Sequence, residues 1–89
     1  MGHFNLQKVQ HQISNQPRSV ILSILRDWAI LLQGDYNYLM RWNYPKCHSK
    51  CKKYIKDAKA FKLLWIKNGY YFEYAHLLTF KPEQGLDSS

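Results

Sequence analysis

Between residues 19 and 33 the chain is apolar around most of a helix. Val20, Ile21, Leu22, Ile24, Leu25, Trp28, Ala29, Leu31 and Leu32 leave Ser19, Ser23, Arg26 and Asp27 as a narrow polar stripe. A helix so broadly apolar is normally a central core element. Gly34 follows at a position where a left-handed terminal residue is easiest for glycine, so the helix is expected to stop there. The period then changes. Tyr36, Tyr38, Met40, Trp42 and Tyr44 alternate with Asp35, Asn37, Leu39, Arg41 and Asn43. Such alternation predicts a strand over residues 35–44. A two-turn helix using Tyr38, Leu39 and Trp42 is the competing reading.

Pro45 ends that element and can open a helix at its first position. Cys47, Cys51, Tyr54, Ile55 and Ala58 then recur on one helical face, with Lys50, Lys52, Lys53, Lys56 and Lys59 on the remaining circumference. Residues 46–60 therefore read as an amphipathic helix with a lysine back. Further on, two aromatic-rich runs flank Asn68 and Gly69. Asn-Gly supplies the two positive φ angles of a type I′ turn, which predicts a β-hairpin over residues 61–80. That register pairs Lys67 with Tyr70, Trp65 with Phe72, Leu63 with Tyr74 and Phe61 with His76. Upstream, Phe4, Leu6, Val9 and Ile13 suggest a short helix or an arm, and Pro17 marks a connection or helix start at residues 14–18.

These elements predict an α+β fold: a two-layer small domain with helices packed on a small antiparallel sheet ending in a β-hairpin. If residues 35–44 are helical, the order suits a winged helix-turn-helix, with 46–59 as recognition helix and 61–80 as wing. The 89 residues allow one domain and one core. That core is placed at 14–81, with 1–13 as arm or short helix and 82–89 as a polar tail.

Charge adds a direction to this picture. The net charge is +7, and it is concentrated: residues 41–67 carry Arg41, Lys46, Lys50, Lys52, Lys53, Lys56, Lys59, Lys62 and Lys67 against Asp57 alone, or +8, while the other 62 residues sum to −1. A lysine-backed helix running into a hairpin that bears Lys62 and Lys67 matches a phosphate backbone, with strong salt dependence and little sequence readout. Arg41, Trp42, Tyr44, Tyr54 and Tyr71 are candidates for stacking on single-stranded bases. The aromatic stripe Tyr36, Tyr38, Trp42 and Tyr44 is read first as the inner face of the sheet and second as such a platform. The expected function is thus non-enzymatic nucleic-acid binding as a regulator or accessory factor, duplex or single strand undecided, through the nine basic residues of the segment and Tyr71. The alternative is an adaptor or inhibitor module docking on an acidic protein, possibly as a homodimer.

Other chemistry finds little support. Cys47, His48 and Cys51 lie close together, but a structural zinc site needs a second ligand pair that His3, His11 and His76 do not form. No Gly-rich phosphate loop, nucleophile elbow or paired acids occur, so no cofactor, metal or catalytic residue is assigned. Residues 29–35, with Ala29 first and Gly34 and Asp35 closing, resemble the LAGLIDADG homing-endonuclease motif, in which that acid is a metal ligand. The chain lacks that family's second sheet hairpin and is shorter than its usual unit, so the resemblance carries no assignment. The longest apolar run, at residues 20–32, is too short and too interrupted to span a bilayer, and a secretory pattern is missing at the N-terminus. A cytoplasmic location is expected.

Overall fold

The structure is a computed structural model in which residues 3–77 are described. These residues form four helices: α1 (Leu6–Ile13), α2 (Arg18–Arg41), α3 (Ser49–Lys67) and α4 (Tyr71–Leu77). Among the described residues there is no strand, so the α+β layering, the antiparallel sheet, the β-hairpin and the winged alternative all give way to an all-helical fold.

The predicted strand at 35–44 is largely the second half of α2, which runs 24 residues without a break at Gly34. The reason is burial. Leu25, Trp28, Ala29, Leu32 and Leu39 are buried along one face of α2, with Tyr36 half-buried between the last two. Those positions recur at intervals of three and four, which is the helical period. The alternating set does not share a face: Tyr38, Met40 and Trp42 are 47%, 44% and 62% exposed. With α2 continuous through Gly34 and Asp35, the helix end that the homing-endonuclease resemblance requires is missing.

The hairpin fails for a similar reason. Cys51, Tyr54, Ala58, Phe61 and Trp65 form one buried face of α3, so residues 61–67 prolong the lysine helix instead of starting a strand. Leu63, which the hairpin places on the apolar face, is 64% exposed. Asn68 has φ −89° and Gly69 has φ +82°, whereas a type I′ turn needs both positive. The pair is a helix stop. Gly69 N–H donates to Ile66 O at 3.0 Å and Tyr70 N–H to Trp65 O at 2.8 Å, the two bonds of a Schellman cap. Tyr70 and Trp65, its flanking apolar pair, are both buried. Residues 71–77 continue as α4; the last three residues of the expected hairpin and the polar tail lie outside the described residues.

The connections follow from caps. Asn5 accepts from Lys8 N–H at 3.1 Å to start α1; Phe4 and Val9, both buried, occupy the two positions of a hydrophobic staple. Asn43, at φ +52°, ends α2: its N–H reaches Met40 O at 3.3 Å and that of Tyr44 reaches Leu39 O at 3.3 Å. Pro45 opens a turn closed by His48 N–H to Pro45 O at 2.9 Å. The helix expected from residue 46 therefore begins at Ser49, where the His48 ring accepts from Lys50 N–H at 3.1 Å.

The chain reverses at residues 42–48, and α2 and α3 lie antiparallel. Tyr36 meets Tyr54 at one end (5.8 Å between centroids), and at the other the Tyr70 hydroxyl donates to Arg18 O at 2.7 Å. Across this pair lies α1, fixed by the Trp28 indole N–H donating to Gln12 at 2.9 Å. Phe4 meets Trp28 and Phe61 edge to face at 5.9 and 5.0 Å, geometries worth about 0.5–1.5 kcal/mol per pair beyond area burial. Helix α4 packs on the end of α3 through Tyr74 against Trp65. Among the described residues no helix is long and apolar enough to cross a membrane.

Candidate nucleic-acid interface

The buried face of α3 determines where its lysines point. With Cys51, Tyr54, Ala58, Phe61 and Trp65 turned inward, Lys52, Lys56, Lys59 and Lys67 fall on the opposite, outward face, and all four are exposed. At 1.5 Å per residue this row extends about 22 Å. Asp57, the acid of this helix, is half-buried on a flank and pairs with Lys53 at 3.0 Å, so it does not interrupt the row. The face is not purely polar: Leu63 and Ile66 lie on it, 64% and 40% exposed.

The remaining basic residues have other settings. Lys50 and Lys53 are exposed on the flank facing α2, and Lys50 holds its ammonium 5.7 Å from the Tyr38 ring and 5.4 Å from the Tyr44 ring. Lys62 is half-buried on the other flank, 5.8 Å over the Tyr74 ring. Arg41 closes α2 with its guanidinium 6.0 Å over Trp42, and Lys46 is exposed in the 45–48 turn. Tyr71 is 52% exposed at the start of α4 beside Phe72, 5.8 Å away. Tyr54 is only 4% exposed, so the core has taken it out of the set of stacking candidates.

The aromatic stripe is divided rather than buried as a unit. Tyr36 turns into the core against Tyr54. Tyr38 and Trp42, one turn apart on α2, face out with centroids 6.3 Å apart, and Tyr44 folds back over Tyr38 at 5.8 Å. The Tyr38 and Tyr44 hydroxyls are 3.4 Å apart. Their shared hydrogen bond pushes the Tyr38 phenol above the ordinary tyrosine value and holds Tyr44 below it, with the Lys50 charge aiding the Tyr44 phenolate. The sequence reading put these rings first on the inner face of a sheet and only second on an exposed platform, and it treated the four as one set. The available signal was the i, i+4 spacing of Tyr38 and Trp42, which falls off the Leu32–Tyr36–Leu39 face.

Beside this cluster an open groove of about 710 Å³ runs between α2, α3 and the arm before α1, lined by Phe4, Ile30, Asp35, Tyr38, Lys50 and Lys53 among others. Burial raises the Asp35 carboxyl above its ordinary range against the opposing pull of His3, Lys53 and a backbone hydrogen bond from Phe4. The two cysteines part company: Cys47 is exposed, while Cys51 is buried with its thiol 3.8 Å from Tyr44 O. Burial also raises the Cys51 thiol. Among the described residues no three His, Cys, Asp or Glu side chains gather as a metal site.

No protein family, curated protein or solved structure matches this chain.

Proposed function

We propose that this protein binds nucleic acid, using α3 as a rod of positive charge laid along the phosphates. The observation that carries this reading is the exposed row Lys52, Lys56, Lys59 and Lys67, opposite a buried face that fixes its direction. Lysine at these positions supplies point charges that displace condensed counterions and carries no base code. Binding is therefore generic and salt-sensitive. With roughly four phosphate contacts, one per lysine, the duplex affinity falls about 150-fold between about 50 and 200 mM salt.

The test is anisotropy with a labelled generic duplex at those two salt concentrations. The triple variant K52E/K56E/K59E should lose binding at low salt while keeping the helical circular dichroism of the parent, since all three side chains are exposed and Glu is a good helix former. Absence of binding by the parent at low salt refutes the proposal, as does full binding by the triple variant.

A second reading rests on Leu63 and Ile66, which put apolar surface on the same lysine face. Lysine mixed with exposed aliphatics suits an acidic protein partner, with which the molecule acts as an adaptor or inhibitor. Weak salt dependence on nucleic acid, together with recovery of one acidic protein after nuclease treatment, favours it. Among the described residues there is no sheet, and so no open strand edge through which a homodimer could pair.

A further inference from the structure

Trp28 and Trp65 are 1% and 0% exposed, but Trp42 is 62% exposed, and Tyr38 beside it is 47% exposed. Exposed rings scattered singly are ordinary, but exposed rings gathered in one place mark a contact surface. Their local geometry is well determined by the fold. Tyr38 and Trp42 share one side of the last turns of α2, the left-handed Asn43 turns the chain back, and Tyr44 comes to rest over Tyr38. Three rings thus form one continuous aromatic surface at the reversal between α2 and α3.

Two cations rest on that surface, and among the described residues neither of them is held in an ion pair. Arg41 sits over Trp42, and Lys50 sits between Tyr38 and Tyr44. Asp35 and Asp57 line the neighbouring groove, where Asp57 pairs with Lys53. From Lys50, the residues Lys53, Lys56 and Lys59 follow at intervals of three; all are exposed, and Lys53 is held in an ion pair with Asp57. Residues three apart on a helix are surface neighbours, so this row leads diagonally from the aromatic surface onto the outward face of α3.

Resting on the nucleic-acid reading above, we propose that the Tyr38–Trp42–Tyr44 surface is a base-stacking site and that the preferred ligand is single-stranded nucleic acid. A duplex hides its base faces in its own stack and offers only phosphates. A single strand offers both, and it tolerates any sequence because every base has a π-face. The bases stack on Trp42 and Tyr38, the adjoining phosphates meet Arg41 and Lys50, and the strand continues along Lys56 and Lys59.

The test compares homopolymeric DNA and RNA single strands with a blunt duplex at about 50 mM salt, in the regime where phosphate contacts are strong. The parent should bind single strands more tightly than duplex. Y38A/W42A should lose roughly 5- to 150-fold of single-strand affinity for each base that stacks, with duplex affinity within about twofold. W42F should restore most of the loss. Because Trp42 is the exposed indole of the three, single-strand binding should also quench the parent's tryptophan emission, and that quench should vanish in W42F although binding remains. Equal affinity for single strand and duplex, or equal loss of both in Y38A/W42A, overturns the stacking site while leaving the phosphate-binding reading intact. No binding of any nucleic acid overturns both. The DNA and RNA arms identify which single strand is preferred.

Discussion

Replacing Gly34 with alanine should make the protein more stable. Gly34 lies inside α2, seven residues from its last residue, Arg41. A glycine in a helix interior costs about 0.5–1 kcal/mol relative to alanine, because its unfolded backbone has more freedom to lose. Alanine recovers that amount only where its methyl group meets no obstacle. A Cβ built on Gly34 has nothing within 4 Å, since the residue borders the open groove. The full gain should appear. For a domain of this size 1 kcal/mol corresponds to roughly 4–8 °C in melting temperature, so Gly34→Ala should melt about 2–8 °C higher.

Gly69 provides the opposite case. Its φ is +82°, and an added Cβ would sit 3.2 Å from the Arg18 guanidinium. A left-handed conformation costs an L-residue about 1–2 kcal/mol, so Gly69→Ala should melt roughly 4 °C or more below the parent. Thermal melts of the three proteins followed by circular dichroism give the order Gly34→Ala above parent above Gly69→Ala. If Gly34→Ala instead melts several degrees below the parent, Gly34 is a left-handed helix stop. The continuous α2 is then wrong, and with it the outward placement of Tyr38 and Trp42.

Two further outcomes test the groove and the connection. Burial raises the Asp35 carboxyl, so above its ordinary value the folded chain holds a proton that the unfolded chain has released, and stability falls as pH rises through that window. Asp35→Asn should melt higher than the parent at neutral pH and lose less stability between about pH 4 and 7; identical pH profiles would contradict the assigned burial. Ellman's reagent should titrate one thiol in the native protein, Cys47, and the second only with denaturant, because Cys51 is fully buried with its thiol raised. Two thiols reacting at one rate in the native state would show that α3 does not turn Cys51 inward.

The fold was more legible than an α+β reading suggests, because the helical period never breaks. Leu25, Trp28, Leu32, Tyr36 and Leu39 keep intervals of three and four straight through Gly34, as do Cys51, Tyr54, Ala58, Phe61 and Trp65 through the aromatic run. Two local signals obscured it. Tyr36, Tyr38, Met40, Trp42 and Tyr44 alternate with polar residues although Tyr38, Met40 and Trp42 all face out, and tyrosine is apolar enough to count on either side. Asn-Gly satisfies both a hairpin turn and a helix stop. What distinguishes them is the sign of φ at the Asn, −89° at Asn68, which composition does not encode. Tertiary burial of Trp65 and Tyr70 around the cap decides the matter.

The site divides along the same line. That the lysines of residues 46–60 back an apolar stripe was readable from spacing alone, and once α3 extends to Lys67 the stripe simply lengthens. Which lysines act together was not readable, because it depends on where α2 and α4 press against α3. Contact with α4 puts Lys62 over Tyr74, and contact with α2 draws Lys50 onto Tyr38 and Tyr44. Asp57 takes up Lys53 on that same flank. The surviving outward row is therefore a product of packing, and so is the aromatic surface at its head. A sheet would have buried Tyr38 and Trp42 beside Tyr36; a helix separates them by face, sending Tyr36 to the core and the other two to solvent. The change of residues 35–44 from strand to helix thus also moves those two rings from the interior to solvent.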